Sequence, residues 1–304
     1  MGTLKGQNLR ICVYDSTAGK YKVIGMSTNC TITLTNNTEE ASHKDIVSLA
    51  SMPMTASKAW SVSVESLNVA DTAAMLTAIK AMTPMTIMWD ETSTIDNQTR
   101  EKATYARKGS AFLNDVVFNF NNRENSTKSL QFSGTGGLET IGSSEATDVI
   151  GIGSYTKGQY VRLFLSNDNT VAPSKPIASA LQLSLHVSLT LEDATTKDTT
   201  GDWVVQEATG LSYDITSNAL VRSGETITSQ VTGMDMAAIE VIYDGGTPVK
   251  WKIANVNGDN NRTATSTLVS GSVLISQLEV NGPNRSNAAY TTTLNGYGDY
   301  TVAA

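Results

Sequence analysis

The chain is expected to be mainly β: two tandem copies of a β-sandwich or half-open barrel, each flanked by one α-helix and carrying one long extended hairpin loop. Three observations lead there. Landmark segments recur at nearly constant spacing: Lys5-Gly6-Gln7-Asn8-Leu9-Arg10 returns as Lys157-Gly158-Gln159-Tyr160-Val161-Arg162, an offset of 152 (157 minus 5). Lys44-Asp45 returns as Lys197-Asp198 at 153 (197 minus 44), Thr83-Pro84-Met85 as Thr247-Pro248-Val249 at 164 (247 minus 83), and Gly134 as Gly296 at 162 (296 minus 134). Self-similarity held in order over a whole chain marks a duplicated unit. The second observation is strict alternation of apolar and hydroxyl side chains, the period of a half-buried strand. The third is composition: 40% hydrophobic and 17% charged residues, with abundant Thr, Ser and Asn between the apolar positions, which suits strands with polar outward faces.

Each element follows from local pattern. Cys30, Ile32 and Leu34 alternate with Thr31, Thr33 and Thr35. In the second copy Leu181, Leu183, Leu185, Val187, Leu189 and Leu191 alternate with Gln182, Ser184, His186, Ser188 and Thr190, a run longer than an ordinary strand. Trp60, Val62 and Val64, matched by Tyr213, Ile215 and Ser217, form the return strand. Between outgoing and returning strands lie polar excursions, Asn36 to Ser57 and Glu192 to Gly210, too long for turns and therefore expected to be functional. Asp71 is placed to cap a helix whose apolar face carries Met75, Leu76, Ile79 and Met82 and which Thr83-Pro84 ends. The second helix is expected to be shorter, because Gly245-Gly246 precedes Thr247-Pro248. Strands then follow at Met85 to Trp89, Phe112 to Phe120 and Ser129 to Ser133, and again at Val249 to Ile253, Val273 to Val280 and Tyr290 to Leu294.

The Gly-, Ser- and Thr-rich segment Glu139 to Thr156 is the expected linker, dividing the chain into residues 1–148 and 149–304. The second copy carries about eleven extra residues (164 minus 153) between Leu220 and Met236. The start of the sequence has no apolar signal segment and no myristoylation motif, so the mature protein is expected to begin where the sequence does. No apolar run is long enough to span a bilayer.

Cys12 and Cys30 align with Phe164 and Leu183, an exchange that reads as small buried hydrophobes rather than a disulfide. A formal charge of −7 and a pI near 4.9 disfavour adhesion to DNA or to an anionic membrane. Catalytic chemistry has no visible basis. His43 and His186 lack ligands at metal-binding spacing, Ser and Asp have no matched base, and Gly134-Thr135-Gly136-Gly137 and Gly151-Ile152-Gly153 lack the Gly-Lys-Ser/Thr of a phosphate loop. Asn255 to Asn260 reads as a hairpin turn rather than a calcium loop. No cofactor, metal or catalytic residue is therefore expected.

This organisation resembles the tail tube proteins (major tail proteins) of long-tailed phages, once per copy and over nearly the whole chain. The features that carry it are a Gly-Gln-x-Leu-x-Ile-type first strand, a Thr/Ser-rich strand, and an acidic-Lys-Asp loop running from Glu39-Glu40 to Lys44-Asp45 and from Glu192-Asp193 to Lys197-Asp198. A strand containing Trp60 and the Asp-capped helix ending in Thr-Pro complete it. The resemblance implies assembly rather than catalysis. Inner sheets would join around a ring, rings would stack into a tube, and DNA would pass through as non-adhering cargo. Two copies per chain imply a homotrimer with pseudo-six-fold symmetry, located in the phage tail after synthesis in the host cytoplasm. Its expected partners are itself and other tail proteins such as the tape measure, terminator and baseplate or sheath, with no membrane. On this reading Thr31, Thr33, Thr35, Ser184, His186 and Ser188 face the lumen. Glu39, Glu40, Lys44, Asp45, Met52, Met54, Glu192, Asp193, Lys197 and Asp198 lie on loops that join rings. A single-ring head-to-tail joining or tail terminator protein of the same fold, and a surface fibre or pilus subunit, are the alternatives.

Overall fold

Alternation of apolar and hydroxyl side chains leaves one face of each strand to be buried, and in the computed structural model those faces close over one large core drawn from both halves of the chain. The structure describes residues 6–41, 52–67, 71–92, 100–101, 106–141, 156–199, 201–222, 233–257 and 263–303. In the first half a 3-10 turn (Gly6–Asn8) opens into β1 (Leu9–Asp15), β2 (Lys20–Val23), β3 (Ser27–Glu40) and β4 (Pro53–Ser66). There follow α1 (Thr72–Lys80), β5 (Met85–Thr92), β6 (Arg100–Glu101), β7 (Arg107–Asn121) and β8 (Thr127–Thr140). The second half runs through a 3-10 turn (Gly158–Tyr160), β9 (Val161–Leu165), β10 (Lys175–Pro176), β11 (Ala180–Asp193) and β12 (Gln206–Leu220). It ends with α2 (Met236–Gly245), β13 (Val249–Val256), β14 (Ala264–Asn281), β15 (Ala289–Gly296) and β16 (Thr301–Val302). The protein is mainly β, and these strands form one antiparallel network.

Apart from β6, which pairs with β5 and has no counterpart among the described residues of the second half, the main strands and helices of the two halves come in the same order with matching pairings. β3–β4 aligns Leu34 with Trp60, and β11–β12 aligns Val187 with Tyr213, each position shifted by 153 (187 minus 34; 213 minus 60). β7–β8 aligns Ala111 with Gly134, and β14–β15 aligns Val273 with Gly296, each shifted by 162 (273 minus 111; 296 minus 134). Val13 opposite Ile87 is matched by Leu165 opposite Trp251. Two of the irregularities recur as well. The break at Asn37/Thr38 on β3 lies where Thr190/Leu191 lies on β11, and that at Leu113/Asp115 on β7 where Ile275/Gln277 lies on β14. A bulge shifts every later side chain to a new partner, so shared bulges mean a shared register.

Equivalent aromatic anchors fill the two ends of the core. Trp60 donates its indole N–H to the Gly136 carbonyl at 3.1 Å, and Tyr213 donates its hydroxyl to the Ser272 carbonyl at 2.6 Å. Each ring lies flat on a glycine. A Cβ at Gly134 would stand 2.2 Å from the Trp60 ring, and one at Gly296 would stand 2.6 Å from Tyr213, so neither position has room for a side chain.

Several expectations are corrected. α2, at 10 residues, is one longer than α1, at 9. Gly246 takes the left-handed conformation (φ 58°) and terminates the helix after Gly245 instead of shortening it. Asp71 sits at the start of α1 but makes no side-chain cap, because its carboxylate is taken by the fully buried Lys128. Asp235 in the second half does cap, accepting from the Ala238 N–H at 3.0 Å. The excursions are shorter than the alternation indicated: residues 36–40 and 53–57 are paired strand, and the second hairpin loop spans residues 194–205. Cys12 is buried but Cys30 is only half-buried. The expected linker beyond Ile141, the extra segment of the second half, and the Asn255 to Asn260 turn beyond Asn257 lie largely outside the described residues.

Candidate assembly interface

The two halves meet along a strand pair. Ala111 of β7 pairs with Gly134 on one side and Met85 on the other. Beyond it the second side of β7 is taken by β11, from Asp115 opposite Ser188 to Asn121 opposite Gln182. Behind this ladder Leu183, Leu185 and Val187 pack with Val116, Phe118 and Phe120, all 3% exposed or less. On its other face His186 lies between two carboxylates, Asp115 of β7 at 2.8 Å and Asp214 of β12 at 2.9 Å. Burial opposes charge on this ring, but the two flanking carboxylates outweigh it and raise the His186 pKa above the ordinary imidazole value.

Three further contacts close the joint. Gly158 rests on the end of β7, where a Cβ would stand 2.3 Å from the Asn121 carbonyl oxygen. This explains the glycine at position 158 of Lys157-Gly158-Gln159. Helix α1 lies against β7 of its own half and against β11, β14 and β16 of the other. There Lys80 donates to the Tyr300 carbonyl at 2.6 Å, and the Tyr300 hydroxyl donates to the Leu76 carbonyl at 2.7 Å. The loop of the second hairpin turns sideways onto the first half. Lys58 and Val204 exchange backbone bonds with their opposite segments (Lys58 N–H to the Asp202 carbonyl, 2.6 Å; Val204 N–H to the Lys58 carbonyl, 2.9 Å), the Gly136 N–H donates to the Val204 carbonyl at 2.8 Å, and the Trp203 ring covers Gly137.

At each outer end of the chain half of such a joint stands without a partner strand among the described residues. On β3 the positions equivalent to 182–188 are 29–35 (182 minus 153; 188 minus 153), and β3 pairs with β4 alone. On β14 the positions equivalent to 115–121 are 277–283 (115 plus 162; 121 plus 162). Val273 still has strands on both sides, but beyond it only β15 continues. Exposure follows the missing cover: Leu34 is 63% exposed where its equivalent Val187 is 1%, and Val280 is 52% exposed where Phe118 is 0%. Gly6, the counterpart of Gly158, has nothing within 4 Å of its Cβ position.

The residues singled out in the sequence fall into two groups. Thr31, Thr33 and Thr35 are exposed on one face of β3, and Ser184, His186 and Ser188 are half-buried on the matching face of β11, where Ser188 and Ser212 share a 2.8 Å hydrogen bond. Among the loop residues Glu39, Glu40, Met52, Met54, Glu192, Asp193, Lys197 and Asp198 are exposed. Glu40 accepts from the Met52 N–H at 3.0 Å, and Asp193 accepts from the Thr195 N–H at 2.8 Å; hydrogen bonds from the Thr195 side chain first and its N–H second hold the Asp193 carboxyl below the usual carboxylate range. Lys44, Asp45 and His43 lie outside the described residues. His186 is not simply solvated, as its place on a polar stripe implied. Asp115 and Asp214, far away in sequence, bracket it, and the alternation had no means of revealing them. Trp203 carried a usable signal, being a large aromatic in an otherwise polar loop. Lys80 and Tyr300 carried none.

No protein-family model matches the chain, and no curated protein sequence is significantly similar to it. Among solved structures it is similar to the tail of an empty gene transfer agent particle refined with C6 symmetry and to the virion of the native gene transfer agent particle. Each is 16% identical, with a TM-score of 0.36 over 49% of this chain and 99% of that one. It is also similar to the SPP1 tail tube at 13% identity, with a TM-score of 0.30 over 46% of this chain and 75% of that one.

Proposed function

We propose that the chain is a structural subunit of a virion tail tube, two tandem tube domains (1–148 and 149–304) fused into one polypeptide. In this reading β3 of one chain adds to β14 of the next as β11 adds to β7 within the chain, so that Leu34 stands opposite Leu278 and Ile32 opposite Val280. Three chains close a pseudo-six-fold ring, and rings stack into the channel through which DNA leaves. The observation that carries the reading is the complete internal joint together with its two unmatched halves at opposite ends of one chain. An exposed strand edge backed by apolar side chains is a template for pairing, and a head-to-tail pair of such edges closes a ring when the rotation allows. The hydroxyl stripe on β3 and β11 faces the lumen, and the acidic balance of the chain keeps phosphate from sticking to it. Glu39, Glu40, Lys44, Asp45, Met52 and Met54, with Glu192, Asp193, Lys197 and Asp198, meet the next ring, their mixed charges setting register more than strength.

Negative-stain microscopy and sedimentation of the purified protein test this. Tubes or closed rings are expected; a chain that stays monomeric at every concentration refutes assembly. Replacing residues 40–52 with a short Gly-Ser turn should leave ring closure intact and stop stacking. Long tubes from that variant would show that the loop does not join rings.

A further inference from the structure

Gly6 and Gly158 hold equivalent places, yet only Gly158 has a reason to be glycine within its own chain. Neither takes a left-handed φ, so backbone conformation asks for glycine at neither position. At Gly158 the demand comes from contact. The residue is buried on the turn between β7 and β8, where a Cβ would stand 2.3 Å from the Asn121 carbonyl oxygen and 2.5 Å from the Asn121 nitrogen. Its N–H donates to the Glu124 carbonyl at 2.9 Å, and Lys157 beside it bridges to Asn125. The start of one half is thereby fastened to a turn of the other. Gly6 opens the same kind of 3-10 turn but is exposed, with nothing within 4 Å of its Cβ position. A side chain would meet no obstacle there in a single chain.

The turn between β14 and β15 repeats the turn on which Gly158 rests. The two join equivalent ladder positions, Asn119 opposite Thr127 and Asn281 opposite Ala289, each shifted by 162 (281 minus 119; 289 minus 127). The Glu124 N–H donates to the Asn121 carbonyl at 3.4 Å, and at the same shift the Ser286 N–H donates to the Pro283 carbonyl at 3.4 Å. Arg123 and Arg285, also equivalent, both take a left-handed φ, 65° and 63°. That conformation is uncommon away from glycine, so its recurrence marks one turn type. The two turns are stiffened differently. In the first the Asn121 side chain donates to the Glu124 carboxylate at 2.7 Å. In the second Pro283 stands in place of Asn121, and its ring fixes φ at roughly −65° without any side-chain bond. Residues 282–287 of this second turn are all exposed.

Resting on the ring reading above, we propose that Gly6 of a second copy of this chain docks on the Pro283–Ser286 turn, as Gly158 docks on the Asn121–Glu124 turn within the chain. The Gly6 N–H donates to the Ser286 carbonyl, and the missing side chain lets backbone meet backbone at Pro283. The contact continues the ladder between β3 and β14, so the start of the chain and β3 grip one and the same neighbour. A turn already stiffened by proline loses little freedom when the partner arrives.

The test is side-chain size at the two glycines of the full chain, with assembly followed by sedimentation velocity over a concentration series and folding by thermal melting of dilute protein. Gly158→Val should lower the melting temperature, because its side chain runs into the Asn121 backbone. Gly6→Val should melt with wild type, having nothing to run into in the single chain, and should raise the concentration needed for assembly about tenfold or more. Gly6→Ala should fall between Gly6→Val and wild type. Hydrogen exchange of the unaltered protein gives a second readout: a peptide containing Gly6 should exchange severalfold more slowly in the assembly than in dilute monomer, whereas one containing Gly158 should be protected in both. An unshifted assembly midpoint for Gly6→Val, a fall in its melting temperature equal to that of Gly158→Val, or an unprotected Gly6 in assembled wild type overturns this proposal and leaves the ring reading standing. A wild-type chain that never assembles overturns both.

Discussion

On the ring reading, Leu34→Ser separates assembly from folding. Leu34 is 63% exposed in the single chain, so serine removes few contacts there, and monomer stability should move by less than about 0.5 kcal/mol. Its equivalent Val187 is 1% exposed beneath β7, and Val187→Ser should lose roughly 2–4 kcal/mol from lost burial and a buried hydroxyl. If a second copy covers Leu34 as β7 covers Val187, pairing buries nearly two-thirds of a leucine. That contributes roughly 1–2 kcal/mol per joint, or about 5- to 30-fold in the association constant. Urea melts of dilute monomer should therefore place Leu34→Ser with wild type and Val187→Ser well below it. Sedimentation against concentration should place Leu34→Ser apart from wild type, assembling only at severalfold higher concentration. Equal loss of monomer stability in the two variants, or an unchanged assembly midpoint for Leu34→Ser, refutes the equivalence of the two edges.

Other expectations follow from the core and from the inner joint. Leu185→Asp should unfold the second half, because it puts a charge into a site 2% exposed, whereas Ser184→Asp on the polar face should be tolerated within about 1 kcal/mol; circular dichroism melts distinguish them, and equal damage would mean that β11 is buried on both faces. Protonated His186 holds Asp115 and Asp214 together. With its folded pKa raised, its contribution is fully present below the ordinary histidine value near 6.5 and is lost as the pH rises through the raised value. His186→Ala should then cost about 0.5–1 kcal/mol at pH 5.5, discounted because the ring is a third exposed, and almost nothing at pH 9; a pH-independent loss would contradict the ionic account. Removing Asp71 leaves the buried ammonium of Lys128 without its counter-ion, so Asp71→Ala should destabilise by about 3–5 kcal/mol. Lys128→Met, which removes the buried charge and leaves a partly solvated carboxylate, should cost much less. The reverse order in denaturant melts would show that the pair is held for some other reason.

Local pattern carried much of the fold because the strands obey period two and the landmarks recur with their turns. Trp60, the Lys-Gly-Gln motif and the two Thr-Pro pairs that follow the helices could all be placed from residue type and spacing alone. What it could not carry is partnership across the sheet. The extension of β3 to Glu40 uses polar residues with no apolar rhythm, so Asn36 to Glu40 read as loop although β4 pairs with every one of them. Asp71 had the residue type of a cap, but the competing Lys128 lies 57 residues away. The joint between β7 and β11 left its mark in the sequence only as alternation, which states that a face is buried and says nothing about what buries it. Leu34 illustrates the limit: its pattern matches that of Val187, yet one is open and the other covered, because coverage depends on which strand lies alongside.

The inner joint also bears on how an assembly of this kind would count. A contact made within one polypeptide forms at an effective concentration near millimolar, set by the linker, while a contact between chains must wait for diffusion. On the ring reading proposed above, every second seam would be complete before two molecules meet, and growth would proceed in strides of two places. On that reading an odd number of places would not be reached by adding whole chains, so parity, usually left to curvature and strain, would follow from the tandem arrangement itself.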